Sequence, residues 1–205
     1  MSAAFDEEIR ALLAAGARND AIARIFSQHG RRIGVFLYQR VRDLSLTEDL
    51  LQAVFEQVIQ AIERWRGQGL IAWLYRIALS VVSRHFRDPA HRARQRASLA
   101  EVPALALVAA QARTDTMRHL RTSVQAQVHD LWGEFSPDEQ TLLHLRLREQ
   151  LGWNEIARLL GGEALPEEQV TRRAQALRQQ FQRLKTRLAR RVAEAGIGEP
   201  PDGAA

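Results

Sequence analysis

The chain lacks several residue types and patterns, and each absence narrows what the protein can be. None of its 205 residues is cysteine, which excludes disulfides, thiolate metal sites and cysteine nucleophiles. No apolar run approaches the roughly 18 residues that a transmembrane helix needs. The first ten residues contain three acids, whereas a signal peptide begins with a basic stretch and an apolar segment. We therefore expect a cytoplasmic protein without a membrane segment.

Catalytic signatures are also missing. The sequence contains no HExxH, no glycine-rich phosphate loop and no GxSxG. Its six histidines show no i, i+4 pair that would suggest a metal site. The carboxylates of Asp49, Glu56 and Glu63 have helical spacing but no proton-transfer partner, so we interpret them as parts of solvated faces. The sequence predicts no enzyme activity, no metal and no cofactor.

Lysine is nearly absent, and the positive charge is unevenly distributed. Lys185 is the only lysine among 29 cations in a chain of net charge +5. Arginine suits phosphate and base recognition, although the codon usage of a GC-rich genome produces the same bias. Residues 128–165 carry three cations and seven acids, whereas residues 169–191 carry eight cations and no acid. This distribution, more than the net charge, favours a nucleic-acid partner.

Apolar residues recur at helical spacing throughout, so the fold class is predicted to be all-α, with two small helical domains joined by a linker. The first domain spans residues 1–87, and Asp88-Pro89 ends it because the residue before a proline resists helical angles. Its predicted helices cover residues 5–15, 19–28, 31–43 and 71–86, with breaks at Gly16 and Gly30. Another predicted helix has its N-cap at Thr47 and an apolar face that extends from Leu50 to Trp65.

The second half of the chain begins with a linker. Residues 88–127 are rich in Ala, Arg and Gln, and their basic groups are either a solvated surface or a nucleic-acid contact. A second domain follows at 128–195, and we expect the tail at 196–205 to be disordered.

The second domain has the pattern of a helix-turn-helix. Ser136, Pro137 and Glu139 form a capping-box signature, and that helix is predicted to reach Arg148. A short helix at 153–160 is closed by two glycines. The last helix carries an apolar stripe of Val170, Ala174, Leu177, Phe181, Leu184, Leu188 and Val192.

The last helix therefore has the features of a DNA-recognition helix. At about 100° per residue, the face opposite the apolar stripe carries Arg172, Gln175, Gln179 and Arg183. Arg172 and Gln175 lie near its N-terminal end, where base edges are read. We assign Arg173, Arg178 and Lys185 to phosphates. The alternative is a solvated basic helix in an ordinary bundle.

Two sets of motifs resemble the sigma-70 family of RNA polymerase sigma factors, and the extracytoplasmic-function group in particular. Residues 47–55 (TEDLLQAVF), 64–67 (RWRG) and 72–78 (AWLYRIA) resemble the second conserved region of that family. Residues 135–146, 154–161 and 170–173 resemble the fourth region. The group joins these two regions by a linker and lacks the third, which is the order found in this chain.

The resemblance implies partners and site residues. Such proteins bind core RNA polymerase and direct it to promoter DNA. Asp49, Gln52 and Phe55 match the helix that docks on the coiled coil of the largest catalytic subunit, with Phe55 interpreted as a core residue. The resemblance also implies contact with the polymerase flap, and it allows an anti-sigma factor, which no residue pattern here indicates.

The remaining site residues follow from the same resemblance. The set matched to the −10 element is Arg66, Gln68, Trp73, Arg76, Ser80 and Arg84. Trp73 either stacks on a base or packs in the core. The set matched to the −35 element is Thr171, Arg172, Arg173, Gln175, Arg178, Gln179 and Lys185.

Three departures from the family pattern leave rival functions open. Ser80 and Arg84 stand where the family often has Asn and Asp, and the loop after Gly67 is one residue shorter. The turn before the last helix is about three residues longer. Apart from these three, Ala53 stands at a usually acidic position and is a minor departure. The rivals are a sigma-like adaptor that binds polymerase without opening promoters, and a self-standing helix-turn-helix regulator.

Overall fold

The computed structural model divides the chain into two compact units. It describes residues 2–67, 69–87, 110–111, 114, 133–162 and 165–194. The units are Met1–Thr122 and Ser123–Ala205. Every regular element in the described ranges is helical, and none is a strand, which confirms the all-α prediction. The predicted tail, and all but three residues of the predicted linker, lie outside the described residues.

In its described residues, the N-terminal unit has four long helices around one apolar core. They are α1 (Ser2–Ala14), α2 (Arg18–Val41), α3 (Leu44–Ala61) and α4 (Leu70–Arg87), with a 3₁₀ turn at Ile62–Arg64 after α3. Phe26 and Phe55 pack with ring centroids 4.0 Å apart, and Phe36 meets Tyr75 edge-on at 5.0 Å. All four rings are nearly inaccessible, so they supply a large part of the burial that holds the four helices together.

The predicted helix break at Gly30 is wrong. Helix α2 runs without interruption through Gly30, which is itself buried. A glycine inside a helix costs about 1 kcal/mol relative to alanine, and the burial of Phe26, Ile33 and Phe36 on the same helix outweighs that cost. The break at Gly16 is confirmed, since Gly16 has a φ of +74° between α1 and α2.

The predicted N-cap of α3 is also wrong. The cap is Asp43, whose carboxylate accepts the Leu46 N–H at 2.9 Å. Thr47 lies one turn inside the helix and is buried, and its hydroxyl donates to the Asp43 carbonyl oxygen at 2.6 Å. Both residues are good caps, and the one that allows an extra turn of α3 prevails.

The described part of the C-terminal unit contains three α-helices. They are α5 (Pro137–Leu143), α6 (Trp153–Gly161) and α7 (Glu167–Glu194). The capping box at Ser136 is confirmed, because the Ser136 hydroxyl and the Glu139 carboxylate each accept the other residue's N–H. Helix α5 was predicted to continue to Arg148, but it widens into a π-helix over His144–Arg148.

Contacts around Trp153 join α6 to α7 and to the π-helix that precedes it. The Trp153 ring meets Phe181 of α7 edge-on at 5.4 Å, and the Arg146 guanidinium lies 4.6 Å from the centroid of the same Trp153 ring. Arg146 also donates to the Leu151 carbonyl oxygen at 2.6 Å, which closes the turn before α6. Of the apolar stripe predicted on α7, Leu188 and Val192 are half-buried and the other five residues are buried.

Two further findings concern the described residues as a whole. None of their helices has the length and apolarity to cross a membrane. No group of three or more acidic or histidine side chains among them is placed to hold a metal ion.

Candidate nucleic-acid interface

The eight cations of α7 separate into faces with different surroundings. On one flank, Arg187 donates to Glu139 at 2.7 Å, and Arg191 is hydrogen-bonded to Glu134. Arg187 also lies 4.5 Å from the Phe135 ring centroid. Arg173, on the same flank, donates to the Leu160 carbonyl oxygen at the end of α6 at 3.2 Å. These cations therefore fasten α7 to its own unit.

The opposite flank of α7 is different. Arg178 and Lys185 are both exposed, and neither meets a carboxylate in the described part of the chain. An extended cationic surface without carboxylates attracts phosphates from a distance and holds them by charge. Arg178 and Lys185 therefore lie where phosphate contacts are possible, whereas Arg173, which was also assigned to phosphates, lies on the opposite flank.

The face between the two flanks carries the predicted base-reading side chains. Arg172, Gln175, Gln179 and Arg183 are all exposed, as is Thr171, whose hydroxyl donates to the Glu167 carbonyl oxygen at 3.1 Å. Arg172 pairs with Glu168 at 2.9 Å, and the two side chains are 77% and 84% exposed. So exposed a pair contributes little stability, and its guanidinium can exchange the carboxylate for a base or phosphate at small cost.

The residues that flank the turn before α7 contact one another. The Arg158 guanidinium of α6 donates to both carboxylate oxygens of Glu167 at 2.8 Å, which joins the end of α6 to the first residue of α7. Gly162 has a φ of +96° and ends α6, where Leu165 covers Gly161. Sequence reasoning missed the Arg158–Glu167 pair, although opposite charges flanking the turn were a readable signal.

A second cluster of predicted site residues lies at the start of α4. Trp65 is buried, and Arg66 beside it is exposed. Gly67 and Gly69 have positive φ angles of 78° and 62°. Gln68 lies outside the described residues. The described residues of this segment, 65–67 and 69, are called the α4 entry loop below.

The predicted residues on α4 form one stripe. Trp73, Arg76, Ser80 and Arg84 recur at steps of three and four, so they share a helix face. Ser80 is exposed and the other three are half-buried. Trp73 lies outside the core formed by Leu70 and Leu74, so part of its ring surface is accessible for stacking.

Arg84 already has a partner inside the unit. With the Gln57 amide turned so that its oxygen faces the guanidinium, that oxygen accepts from Arg84 at 2.8 and 3.1 Å. This contact joins the end of α4 to α3. Arg84 therefore fixes the stripe against the neighbouring helix.

The residues predicted to dock on polymerase lie on α3 but differ in exposure. Asp49 is exposed and Gln52 is half-buried. Phe55 is completely buried against Phe26, as its interpretation as a core residue requires. It cannot touch a partner without unfolding of the unit, so its contribution to docking is to hold α3 in place.

The interpretation of Glu56 as part of a solvated face is wrong. Its side chain is only 4% exposed, and it accepts a hydrogen bond from the Gln52 amide at 3.2 Å. Burial raises the pKa of Glu56 above its ordinary value of 4.5, and the bond from Gln52 opposes that shift. The buried carboxylate also orients Gln52 beside Asp49.

Comparisons with known proteins identify the family to which the chain is similar. The family model for sigma-70 region 2 matches residues 25–92. RNA polymerase sigma factor CarQ of Myxococcus xanthus is 33% identical over 147 residues, which are 69% of this chain and 78% of CarQ. The ECF RNA polymerase sigma factor BldN of Streptomyces coelicolor is 26% identical over 146 residues, which are 69% of this chain and 53% of BldN.

An all-α fold with a basic helix-turn-helix in its second unit defines a class of DNA-binding transcription proteins. Within that class, the chain belongs to the sigma-70 family of RNA polymerase sigma factors, in its extracytoplasmic-function group.

Proposed function

We propose that this alternative sigma factor directs core RNA polymerase to promoters through three separate surfaces. The domain at 1–87 supplies the polymerase-docking and −10 surfaces, and the domain at 128–195 supplies the −35 surface. The polymerase performs the chemistry, in the cytoplasm, and this protein supplies promoter recognition. Its own residues need only bind, orient and separate DNA strands.

Docking on polymerase is assigned to the exposed side of α3. Asp49 supplies a charge, and Gln52, held by Glu56, supplies a polar contact beside it. We assign their target to the coiled coil of the largest catalytic subunit, with the flap as the target of the C-terminal unit. An anti-sigma factor that covers the same side of α3 would compete with polymerase.

The −10 element is assigned to the α4 entry loop and the stripe on α4. We assign Arg66 in the loop and Arg76 on the stripe to the DNA backbone. We assign Trp73 and Ser80 to an unstacked base. Gln68 completes the assigned set. Capture of a base outside the duplex offsets the few kcal/mol needed to unstack it.

The −35 element is assigned to α7, and the observation that carries the proposal is the separation of its cations. Arg187 and Arg191 are engaged by acids of their own unit, whereas Arg178 and Lys185 are exposed without one in the described ranges. A basic helix that only faces solvent in a bundle would not need paired cations on one flank and exposed cations on the other. Arg172 and Gln175 then lie between the flanks, where base edges would be met.

Run-off transcription with purified core polymerase on genomic promoter fragments tests the proposal. We expect promoter-specific transcripts that depend on this protein. Co-purification with core polymerase without any specific transcript would instead support the adaptor. DNA binding without co-purification would support the self-standing regulator, because a regulator of that kind does not need the α3 surface.

A further inference from the structure

Helix α1 reaches the α4 entry loop through one buried carboxylate. Asp6 is 7% exposed, and its Oδ2 accepts the N–H of Gly69 at 2.8 Å, although the two residues are 63 positions apart. The family model that matches this chain begins at residue 25, so α1 lies outside the matched region. The contact is therefore a feature of this chain that the comparison does not cover.

Gly69 is the residue from which α4 starts. Its carbonyl oxygen accepts the Trp73 N–H at 3.0 Å, which is the first turn of the helix. Asp6 thus holds, from another helix, the residue that caps α4. The first turn of α4 has no acid of its own, so the Asp6 carboxylate also supplies the negative charge that a helix N-terminus favours.

A second residue of α1 covers the same loop. A β-carbon added at Gly67 would lie 2.6 Å from Cδ of Arg10, so the Arg10 stem occupies the space that any side chain there would need. Gly67 and Gly69 have left-handed backbone angles that glycine adopts freely, so the conformation of this loop depends on the contacts that surround it. Asp6 and Arg10 lie one helical turn apart and together provide those surroundings.

We infer that Asp6 of α1 is a positioning residue for promoter opening: by holding Gly69, it fixes the α4 entry loop in the shape that captures the −10 element. This inference rests on the proposed role of that loop. Asp6 itself touches no DNA. It acts through the placement of Arg66 before the loop's glycines and of Trp73 in the first turn of α4.

The test uses the full-length protein in holoenzyme with core polymerase on a promoter identified by run-off transcription. Open-complex formation is followed by the fluorescence of 2-aminopurine in the −10 element, and core affinity by labelled-protein titration. The variants are Asp6→Ala, Asp6→Asn and the matched control Glu8→Ala. Glu8 lies on the same helix and carries the same charge, but it pairs with Arg24 at the surface.

Asp6→Ala is expected to lower open-complex formation about tenfold, the typical effect of losing a hydrogen bond to a charged group. Core affinity should stay within about twofold, and Glu8→Ala should leave both quantities within about twofold. Asp6→Asn should restore most of the opening, because its carbonyl oxygen can still accept the Gly69 N–H. Hydrogen exchange at Gly69 should accelerate in Asp6→Ala alone.

Two results would overturn the inference: unchanged opening in Asp6→Ala, or an equal loss of core affinity and opening, which would indicate a merely structural role. If Asp6→Ala does not fold, Asp6→Ser replaces it, since its short hydroxyl cannot span the distance. Arg66→Ala separates this inference from the proposed function. Loss of opening in Arg66→Ala with normal opening in Asp6→Ala contradicts only the inference, whereas normal opening in both contradicts the −10 assignment too.

Discussion

The two helical units of this protein hold the helices that we assign to DNA in different ways. In the N-terminal unit, α4 is placed by an apolar core and by a carboxylate that binds a backbone N–H of its entry loop. In the C-terminal unit, α7 is held along one flank by ion pairs to Glu139 and Glu134. The difference fits what each surface is proposed to do.

A helix that binds duplex DNA needs many cations, and these repel one another in the free protein. On α7, three of the cations along one flank are engaged by acids or a carbonyl of the same unit, which lowers that repulsion and fixes the helix angle. A loop that captures an unpaired base needs shape more than charge. The α4 entry loop accordingly depends on two left-handed glycines and on backbone contacts.

The largest expected effect tests whether the N-terminal unit can lose stability while the C-terminal unit keeps its own. Phe55→Ala removes a ring that is completely buried in the N-terminal unit, and we expect a loss of about 3–5 kcal/mol in the stability of that unit. Hydrogen exchange on the full-length protein should show faster exchange in α2, α3 and α4, and unchanged exchange in α7. Phe55→Leu, the matched control, should lose much less. Equal acceleration in α7 would contradict the independence of the two units.

The second largest effect distinguishes the residues of α7 that read bases from those that bind phosphates. Arg172→Ala should change the preference for −35 sequences, with a loss of about 1–3 kcal/mol on the matched site. Lys185→Ala should weaken binding to all sequences alike and reduce the salt slope by about one. Titrations of holoenzyme against promoter fragments at several salt concentrations measure both quantities.

Arg187→Ala is the control for that pair. Its guanidinium is engaged by Glu139, so the variant should lower thermal stability without altering sequence preference. If Arg172→Ala and Lys185→Ala gave the same uniform loss, the division of α7 into reading and holding residues would be wrong.

A smaller effect would test the shape of the α4 entry loop. Gly67→Ala places a methyl group in a left-handed conformation and against Arg10, so we expect a loss of about 1–2 kcal/mol in unfolding experiments. A β-carbon at position 69 would meet open space, so Gly69→Ala should lose only the stability that the left-handed backbone conformation costs. Adding Arg10→Ala to Gly67→Ala should recover some stability; no recovery would argue against the Arg10 contact.

The smallest effects concern two carboxylates with opposite pKa shifts. Burial raises the pKa of Glu56, so its ionisation costs stability above pH 4.5. Partial burial also acts to raise the pKa of Glu139, but the Ser136 N–H and Arg187 outweigh it and lower that pKa, so its ionised form stabilises the fold. At pH 7, Glu56→Gln should therefore be more stable than the parent and Glu139→Gln less stable, each by about 1 kcal/mol or less.

Acidification should remove both differences. Glu56 is protonated in both the folded and unfolded states below its ordinary pKa of 4.5, so the advantage of Glu56→Gln disappears there. The contribution of Glu139 is lost as the pH falls through its lowered pKa, below 4.5. Urea unfolding at a series of pH values measures both, and the same sign for the two variants at pH 7 would contradict the assignment.

The features that could be predicted from the sequence are those that depend on residues close together along the chain. The capping box at Ser136 and the end of α6 at Gly162 are set within a few positions, and both are found. Gly30 was predicted to break a helix because a glycine disfavours helix locally, whereas tertiary burial decided the outcome. Thr47 and Asp43 are competing caps, and their local patterns do not rank them.

The same holds for the site residues, whose local arrangement could be predicted and whose long-range contacts could not. Helical spacing alone predicts that one face of α4 carries Trp73, Arg76, Ser80 and Arg84. It does not indicate that Arg187 and Arg191 bind acids 48 and 57 residues away, or that Asp6 reaches Gly69. Contacts at such separations depend on the packing of helices, about which periodicity within one helix carries no information.

The central claim is that one unit meets the −10 element and the other the −35 element of the same promoter. Site-specific photocrosslinking tests it most directly, with a benzophenone side chain placed singly at Ser80 and at Gln175 in the holoenzyme. We expect crosslinks to −10 bases from position 80 and to −35 bases from position 175. Crosslinks from position 175 to the −10 element, or none to promoter DNA from either position, would contradict it.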